Sequence, residues 1–478
     1  MAGPTALTLS SLFFYGYRMK TAVKASPVLL FVVLISIIPA KAQTWGQPVW
    51  ADEFDGTANS QIDPIKWTFD TGNLQVNNEL EIYCSPTMTT MGCDPSHPNT
   101  FIDGAGHLVI QRLVNGTTWT SARLKTQGVK TFQYGRIEAS MEFPSHPGLW
   151  PAFWMLGNNI DTVGWPNCGE VDIMENWPGI GPSKNSTTMH GDTYHGGDGL
   201  NSVFTFPTDQ RVDTAFHTYG IIWSKNMMQF YFDDPSNITF VRTAADVPAG
   251  GTWPFNNPFF LITNMAVGGV LGGATDAGTA TAIPIMMLDY VRYYQPSTIL
   301  GPTITSGTAI SLSAGGTGTT NLSITSPSDT GLVYLDCTNL PAKSTCSIDT
   351  GNALNPHVVD FRNNTSASAT VHVTTTANTA SHVAPLRSTW AMMLVGAFVF
   401  LPTVFKRTWS HRLALVCGLS AILLSAAALQ SCGGGSGTKP GNGGGPTNGT
   451  PSGHYTLTIT TYTVSGDTST ANVTLDVN

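Results

Sequence analysis

Gly169-Glu170-Val171-Asp172-Ile173-Met174-Glu175-Asn176-Trp177 is the stretch on which the reading of this chain turns. It sets three carboxylates within six residues of otherwise apolar, strand-like sequence, in a chain of which only 11% is charged. Side chains alternate faces along an extended strand, so Glu170 and Asp172 point the same way. Strict alternation would place Met174 beside them and turn Glu175 to the back. One extra residue at Ile173-Met174, a β-bulge, returns Glu175 to the face of the other two. Three acids then line one wall of a cleft with a long carboxylate at each end. Glycosidic bonds are hydrolysed by such pairs, one carboxylate as nucleophile and one as acid/base. A solvated edge strand or a calcium loop would account for the acids alone. Neither accounts for Trp150, Trp154, Trp165 and Trp177, which bracket them.

The whole chain fits that reading. Its 478 residues leave room for two or three domains. Acidic residues outnumber Lys and Arg by 30 to 22, and no basic run occurs, which argues against a nucleic-acid partner. Short alternating runs separated by Gly, Pro and Asn recur through the first 300 residues, where helical periodicity is scarce. No HExxH, paired CxxC or GxSxG pattern is present, so the chemistry expected of the acids needs no cofactor.

Residues 1–42 read as a signal peptide, with Met19 as a second start. Lys20 and Lys24 precede an apolar run, and Ala40-Lys41-Ala42 offers a small-x-small cleavage site. Export makes disulfides expected, and the local pairs Cys84/Cys93 and Cys337/Cys346 each bracket a short loop. Cys168 has no evident partner and reads as a buried small residue, since a neighbouring carboxylate would raise its thiol pKa.

Residues 48–296 form one β-patterned block, which predicts a concave β-jelly-roll sandwich. Residues 300–378 turn Thr-, Ser- and Gly-rich and resemble an immunoglobulin-like β-sandwich module. Two apolar runs within 383–430, separated by Lys406-Arg407 and their neighbours, predict a helical hairpin in the membrane with both flanks outside. A Gly/Pro-rich linker, 433–452, leads to two alternating strands in 453–478. These tail strands read as the closing strands of the module, so the hairpin interrupts one sandwich. The expected product is an all-β, monomeric, exported protein, tethered at the cell surface through 383–430. Cys432, at the end of the second run, also resembles a lipoprotein site but is internal.

At the acid strand the chain resembles family 16 glycoside hydrolases, in particular the bacterial laminarinase-like β-1,3-glucanases. The resemblance covers roughly 48–296 and rests on motifs in order. These include Trp50-Ala51-Asp52-Glu53-Phe54-Asp55-Gly56, Asn77-Asn78-Glu79-Leu80, Ser121-Ala122-Arg123-Leu124 and Gly148-Leu149-Trp150-Pro151-Ala152-Phe153-Trp154, then the acid strand, Met189-His190-Gly191 and Leu288-Asp289-Tyr290. The bulged E-x-D-x-x-E looks like the laminarinase type rather than the regular E-x-D-x-E of lichenases.

The resemblance implies Glu170 as nucleophile, Glu175 as acid/base and Asp172 as the group that couples to both, in a retaining double displacement. It implies that Trp150 and Trp154 line the donor side, that Asn78 and Arg123 contact sugar hydroxyls, and that His190 sits near the leaving side. At least one of Trp165 and Trp177 should meet the sugar. A structural calcium ion is implied at Glu53, Gly106 and Asp289, with no part in the chemistry. The expected substrate is a β-1,3-glucan, with mixed-linkage glucan as a side activity. The rivals are an agarase- or carrageenase-type galactan hydrolase, a transglycosylase, a non-catalytic glucan-binding protein, and an adhesin built on the tail module.

Overall fold

The computed structural model describes residues 45–275, 283–297, 300–326, 330–378 and 448–478. The expected signal peptide (1–42), hairpin (383–430) and all but the end of the linker (433–452) lie outside these residues. Among the described residues no helix is long and apolar enough to cross a membrane.

Two antiparallel sheets make the first sandwich. One runs Leu200–Thr205, Lys184–His190, Glu170–Glu175, Leu149–Gly157, Phe259–Val267, Arg123–Lys125, Thr68–Asp70 in spatial order. It is called the acid sheet below. The outer sheet runs Ile238–Thr243, Met227–Phe232, His217–Ser224, Gly135–Glu142, Ile285–Tyr294, Leu108–Gln111, Thr100–Ile102, with Trp50–Asp52 also paired to Ile285–Tyr294. Sequence neighbours are often not sheet neighbours, as a jelly roll requires. The strand Phe259–Val267 is buried at all nine positions, in keeping with a central place in the sheet. Residues 181–202 are polar and Gly-rich, a composition that reads as a loop, yet much of the stretch is strand. Its first half forms the strand Lys184–His190, which pairs by backbone with the acid strand, and its end opens Leu200–Thr205, which pairs with Lys184–His190 in turn.

Both sheets turn one face into a shared core. Phe153, Met155, Val171, Met174, Leu261 and Met265 come from the acid sheet, and Ile137, Tyr219, Ile221, Trp223, Phe230 and Val291 from the outer sheet. Each such side chain contributes about 1.5–3 kcal/mol on burial. The outer sheet is buried on its second face as well. Met228, Phe230 and Phe232 enter the shared core, while Met227 and Tyr231, on the other side of the same strand, join Ile222 and Val241 in a separate apolar cluster. That cluster is completed by Leu332, Tyr334, Val358 and Val464 of the C-terminal region.

The C-terminal region is a second sandwich. One sheet runs Thr303–Ser306, Thr317–Thr325, Ser366–Thr375, Ser344–Asp349; the other runs Ile310–Leu312, Thr468–Val477, Gly453–Tyr462, Leu332–Thr338, Val358–Asp360. The tail strand Gly453–Tyr462 pairs antiparallel with Leu332–Thr338, matching Tyr462 to Tyr334 and Thr458 to Thr338. Thr468–Val477 pairs parallel with Ile310–Leu312. Leu457, Ile459, Val473, Leu475 and Val477 then fill its core beside Leu322, Val333 and Val371.

Polar contacts fasten the two sandwiches. Asn355 Nδ2 donates to Asp246 Oδ2 at 2.7 Å, and an Arg362 guanidinium nitrogen donates to the Ser236 carbonyl at 2.9 Å. On the same face, buried Glu138 accepts from the Tyr231 and Tyr294 hydroxyls and lies 3.5 Å from Arg136. A carboxylate is buried at tolerable cost only with such partners. Disulfides join Cys84 to Cys93 and Cys337 to Cys346.

Candidate active site

The acid strand is bulged. Against Leu149–Gly157 it pairs Leu156 with Glu170, Trp154 with Asp172, Phe153 with Met174 and Ala152 with Glu175, so Ile173 has no partner. Against Lys184–His190 it pairs Glu170 with His190, Asp172 with Thr188 and Glu175 with Ser186, again with one residue in excess. The packing says the same. Val171, Ile173 and Met174 all enter the shared core, which two adjacent residues of a regular strand cannot do. Glu170, Asp172 and Glu175 are thereby left on the opposite face. Gly169 starts this strand at φ +82°, and a Cβ there would lie 2.7 Å from the Pro254 ring.

Pairing across the acid sheet builds the rest of the face. Trp150 Nε1 donates to Glu175 Oε1 at 2.9 Å. Trp154 Nε1 donates to Asn264 Oδ1 at 2.8 Å, and the Arg123 guanidinium lies 4.6 Å over the Trp154 ring. Arg123 in turn pairs with Asp70 at 2.9 Å. His190 Nε2 is 3.2 Å from Asp172 Oδ2 and 3.8 Å from Glu170 Oε1. A side chain at Gly199 would strike that imidazole, its Cβ falling 2.7 Å from His190 Cε1. The ligand atoms of Glu170, Asp172 and His190 lie within 4.8 Å of one another, the one cluster of three His, Cys, Asp or Glu side chains among the described residues that could hold a cation.

Burial dominates the electrostatics. It pushes the carboxyls of Glu170, Asp172 and Glu175 up to about 8. The charge of Asp172 raises both glutamates further. At Glu170 the imidazole of His190 opposes the rise most, with Arg123 helping. At Glu175 the Trp150 hydrogen bond opposes it, then His190. At Asp172 the opposing influence is a hydrogen bond from Glu170. Three buried carboxyls this close cannot all ionise near neutrality.

The remaining expected residues fall at different distances from this centre. Trp165 is 47% exposed at the His190 side, 5.4 Å from the His195 ring and 6.3 Å from that of His190. Trp177 is half-buried just beyond the acid strand. Asn78 is exposed in a left-handed turn at φ +58°. That turn reaches Trp150 through Gly269, where a Cβ would lie 3.3 Å from Glu79 Cγ and 3.5 Å from Trp150 Cε3. Cys168 is wholly buried, and burial with the Glu170 charge pushes its thiol up to about 11. His217 faces Asp233 at 3.1 Å and packs on Phe206 and Phe232, away from the acids.

Asn264, Asp70, Ser186 and Thr188 belong to the face but were not legible in the sequence, since each stands alone in its strand and only sheet pairing brings it there. At the positions expected to bind calcium, the Glu53 carboxylate is held bidentate by Arg292 at 2.8 and 2.6 Å. Glu53 could therefore reach a cation only through its main-chain carbonyl. Gly106 stands at φ +94°, and Asp289 lies where the pairing of its strand shifts register between Leu288 and Tyr290. Two carbonyls and one carboxylate are hard-oxygen donors of the kind calcium takes.

Residues 63–290 match the profile of Glycosyl hydrolases family 16. The chain is 34% identical over 266 residues to a beta-glucanase of Rhodothermus marinus, covering 53% of this chain and 87% of that protein. It is also 34% identical over 234 residues to a glucan endo-1,3-beta-glucosidase of Cryptopygus antarcticus, covering 46% of this chain and 80% of that one. Among solved structures, the laminarinase catalytic domain of Thermotoga maritima is 35% identical, with 53% of this chain and 99% of that domain covered and a TM-score of 0.46. With a bulged acid strand on the open face of a jelly roll, and that identity spread over nearly the whole of a family member, the chain belongs to the family 16 glycoside hydrolases.

Proposed function

We propose that the protein is a retaining endo-β-1,3-glucanase in which Glu170 is the nucleophile and Glu175 the acid/base. The observation that carries this is the bulge at Ile173, which puts both glutamates and Asp172 on one face beside Trp150 and Trp154. Asp172 favours the protonated form of both glutamates and His190 the charged form of both, while Arg123 acts on Glu170 alone and the Trp150 hydrogen bond on Glu175 alone. Trp150 holds one oxygen of Glu175, which fixes the direction of the other. The Glu170 carboxylate attacks the anomeric carbon while the glycosidic C–O bond breaks and Glu175 gives its proton to the leaving oxygen. Glu175, now ionised, takes a proton from water, and the water oxygen attacks the same carbon and expels Glu170. Two inversions retain configuration.

Glucan as substrate is supported by the names of the relatives above, and the indole faces of Trp150 and Trp154 suit the apolar C–H faces of its sugars. Mixed-linkage glucan is the expected side activity. Calcium at Glu53, Gly106 and Asp289 would brace the sandwich, and the sequence of 1–42 supports export. The test is sugar release by the full chain from laminarin, lichenan, agarose and carrageenan, beside Glu170→Gln. Release from laminarin that E170Q lacks is the expected result. Release from agarose or carrageenan alone would overturn the substrate and keep the mechanism. Tight laminarin binding without release from any of them would make the protein a glucan-binding one.

A further inference from the structure

A chain of hydrogen bonds leads away from Trp154 and ends on two carboxyls that the mechanism does not use. Trp154 Nε1 donates to Asn264 Oδ1 at 2.8 Å, Asn264 Nδ2 donates to the Tyr83 hydroxyl at 3.0 Å, and that hydroxyl donates to Glu79 Oε2 at 3.1 Å. Tyr83 is wholly buried and has one hydroxyl hydrogen, so every link must donate toward Glu79. Glu79 also accepts from Asn77 Nδ2 at 3.2 Å, which makes it the acceptor at the end of the chain. Behind it lies Glu81, 2% exposed, whose Oε2 accepts from the Val267 backbone N–H at 2.6 Å.

A hydrogen bond between the two side chains raises Glu81, so Glu81 is its donor and Glu79 its acceptor. Glu81 therefore carries the proton. Burial, then the charge of Glu79, pushes it up to about 8. The titratable groups facing this pair are each other and Tyr83, which faces Arg123 from the acid sheet. The parallel neighbour Thr118–Ser121 brings no titratable group.

We propose that Glu81 is a positioning residue for the sugar-binding side of the site. By holding Glu79, Tyr83 and Asn264 in one orientation, it fixes the Trp154 indole, and so sets substrate affinity rather than the chemical step. This rests on Trp154 being a sugar platform, as argued above. Ionisation of Glu81 places two anions side by side, which loosens the chain and tips the indole.

The experiment is kcat and KM of the full chain on laminarin from pH 5 to 9.5, for wild type, Glu81→Gln and Tyr83→Phe. Wild-type KM should rise on the alkaline side by about fivefold, roughly the loss of one aromatic contact. E81Q, the same shape but never charged, should keep a flat KM and leave the pH profile of kcat unchanged. Y83F, which cuts the chain, should raise KM already at pH 6. The proposal is overturned if KM of E81Q tracks wild type across the range, or if E81Q lowers kcat at constant KM. Should E81Q fail to fold, Y83F decides, and a wild-type KM at pH 6 would sink the proposal. Wild type inert on laminarin but active on another glycan would sink the glucan reading instead, and the same series on that glycan would still decide the role of Glu81.

Discussion

The two sheets of the catalytic sandwich share a core but differ in what their other faces meet. The acid sheet presents Glu170, Asp172, Glu175, Trp150, Trp154 and Asn264, whereas the outer sheet presents Ile222, Met227, Tyr231 and Val241. A polar face can stay open to a ligand, at the cost of crowding carboxyls together. An apolar face of comparable size must be covered, and here the second sandwich covers it with Leu332, Tyr334, Val358 and Val464. One face is thus built for work and destabilised by it; the other is built for stability.

The sharpest break of that contrast is at the carboxylates. E175Q should lower kcat on laminarin by about 10²–10⁴-fold, the usual worth of a general acid, and less on a substrate with an activated leaving group. E170Q should lose at least as much while still binding glucan, and full turnover by either variant would end the assignment. On the covered face, Tyr334→Ala should cost about 3–5 kcal/mol in urea unfolding with kcat unchanged. If tryptophan fluorescence of the jelly roll reports an unshifted midpoint, the second sandwich is a passenger and not a cover.

A smaller effect tests the strain of the open face. A carboxyl whose folded pKa is raised stabilises the fold fully below its unfolded pKa of about 4.5, and that contribution is lost as pH rises through about 8. E170Q should therefore raise Tm by a few degrees at pH 8 and by nothing at pH 4, measured by calorimetry. An equal gain at both pH values would mean that packing, not charge, is at work. The smallest expected effect is that of calcium. Chelation should lower Tm slightly and leave kcat untouched, and Asp289→Asn should abolish that shift. A wild-type Tm indifferent to chelator would remove the ion from this protein.

Much of this was readable before folding. The bulge followed from the spacing of Glu170, Asp172 and Glu175, and the strands Phe259–Val267 and Ile285–Tyr294 from their apolar runs. Lys184–His190 was not, because a Ser/Thr/Asn strand carries little hydrophobic period and is held by its neighbours' backbones. Met227–Phe232 is buried at all six positions, and what covers its second face is a matter of the structure alone.

The chemistry of the acids, and the need for an extra residue among them, were properties of the sequence by itself, since strand periodicity is local. Only the tertiary structure decided that Asn264 and Tyr83 link Trp154 to a buried carboxyl pair, and that the C-terminal sandwich closes over the outer sheet. Those contacts join residues far apart in the chain, and no local pattern specifies which distant partner will satisfy a buried polar group or cover an apolar face.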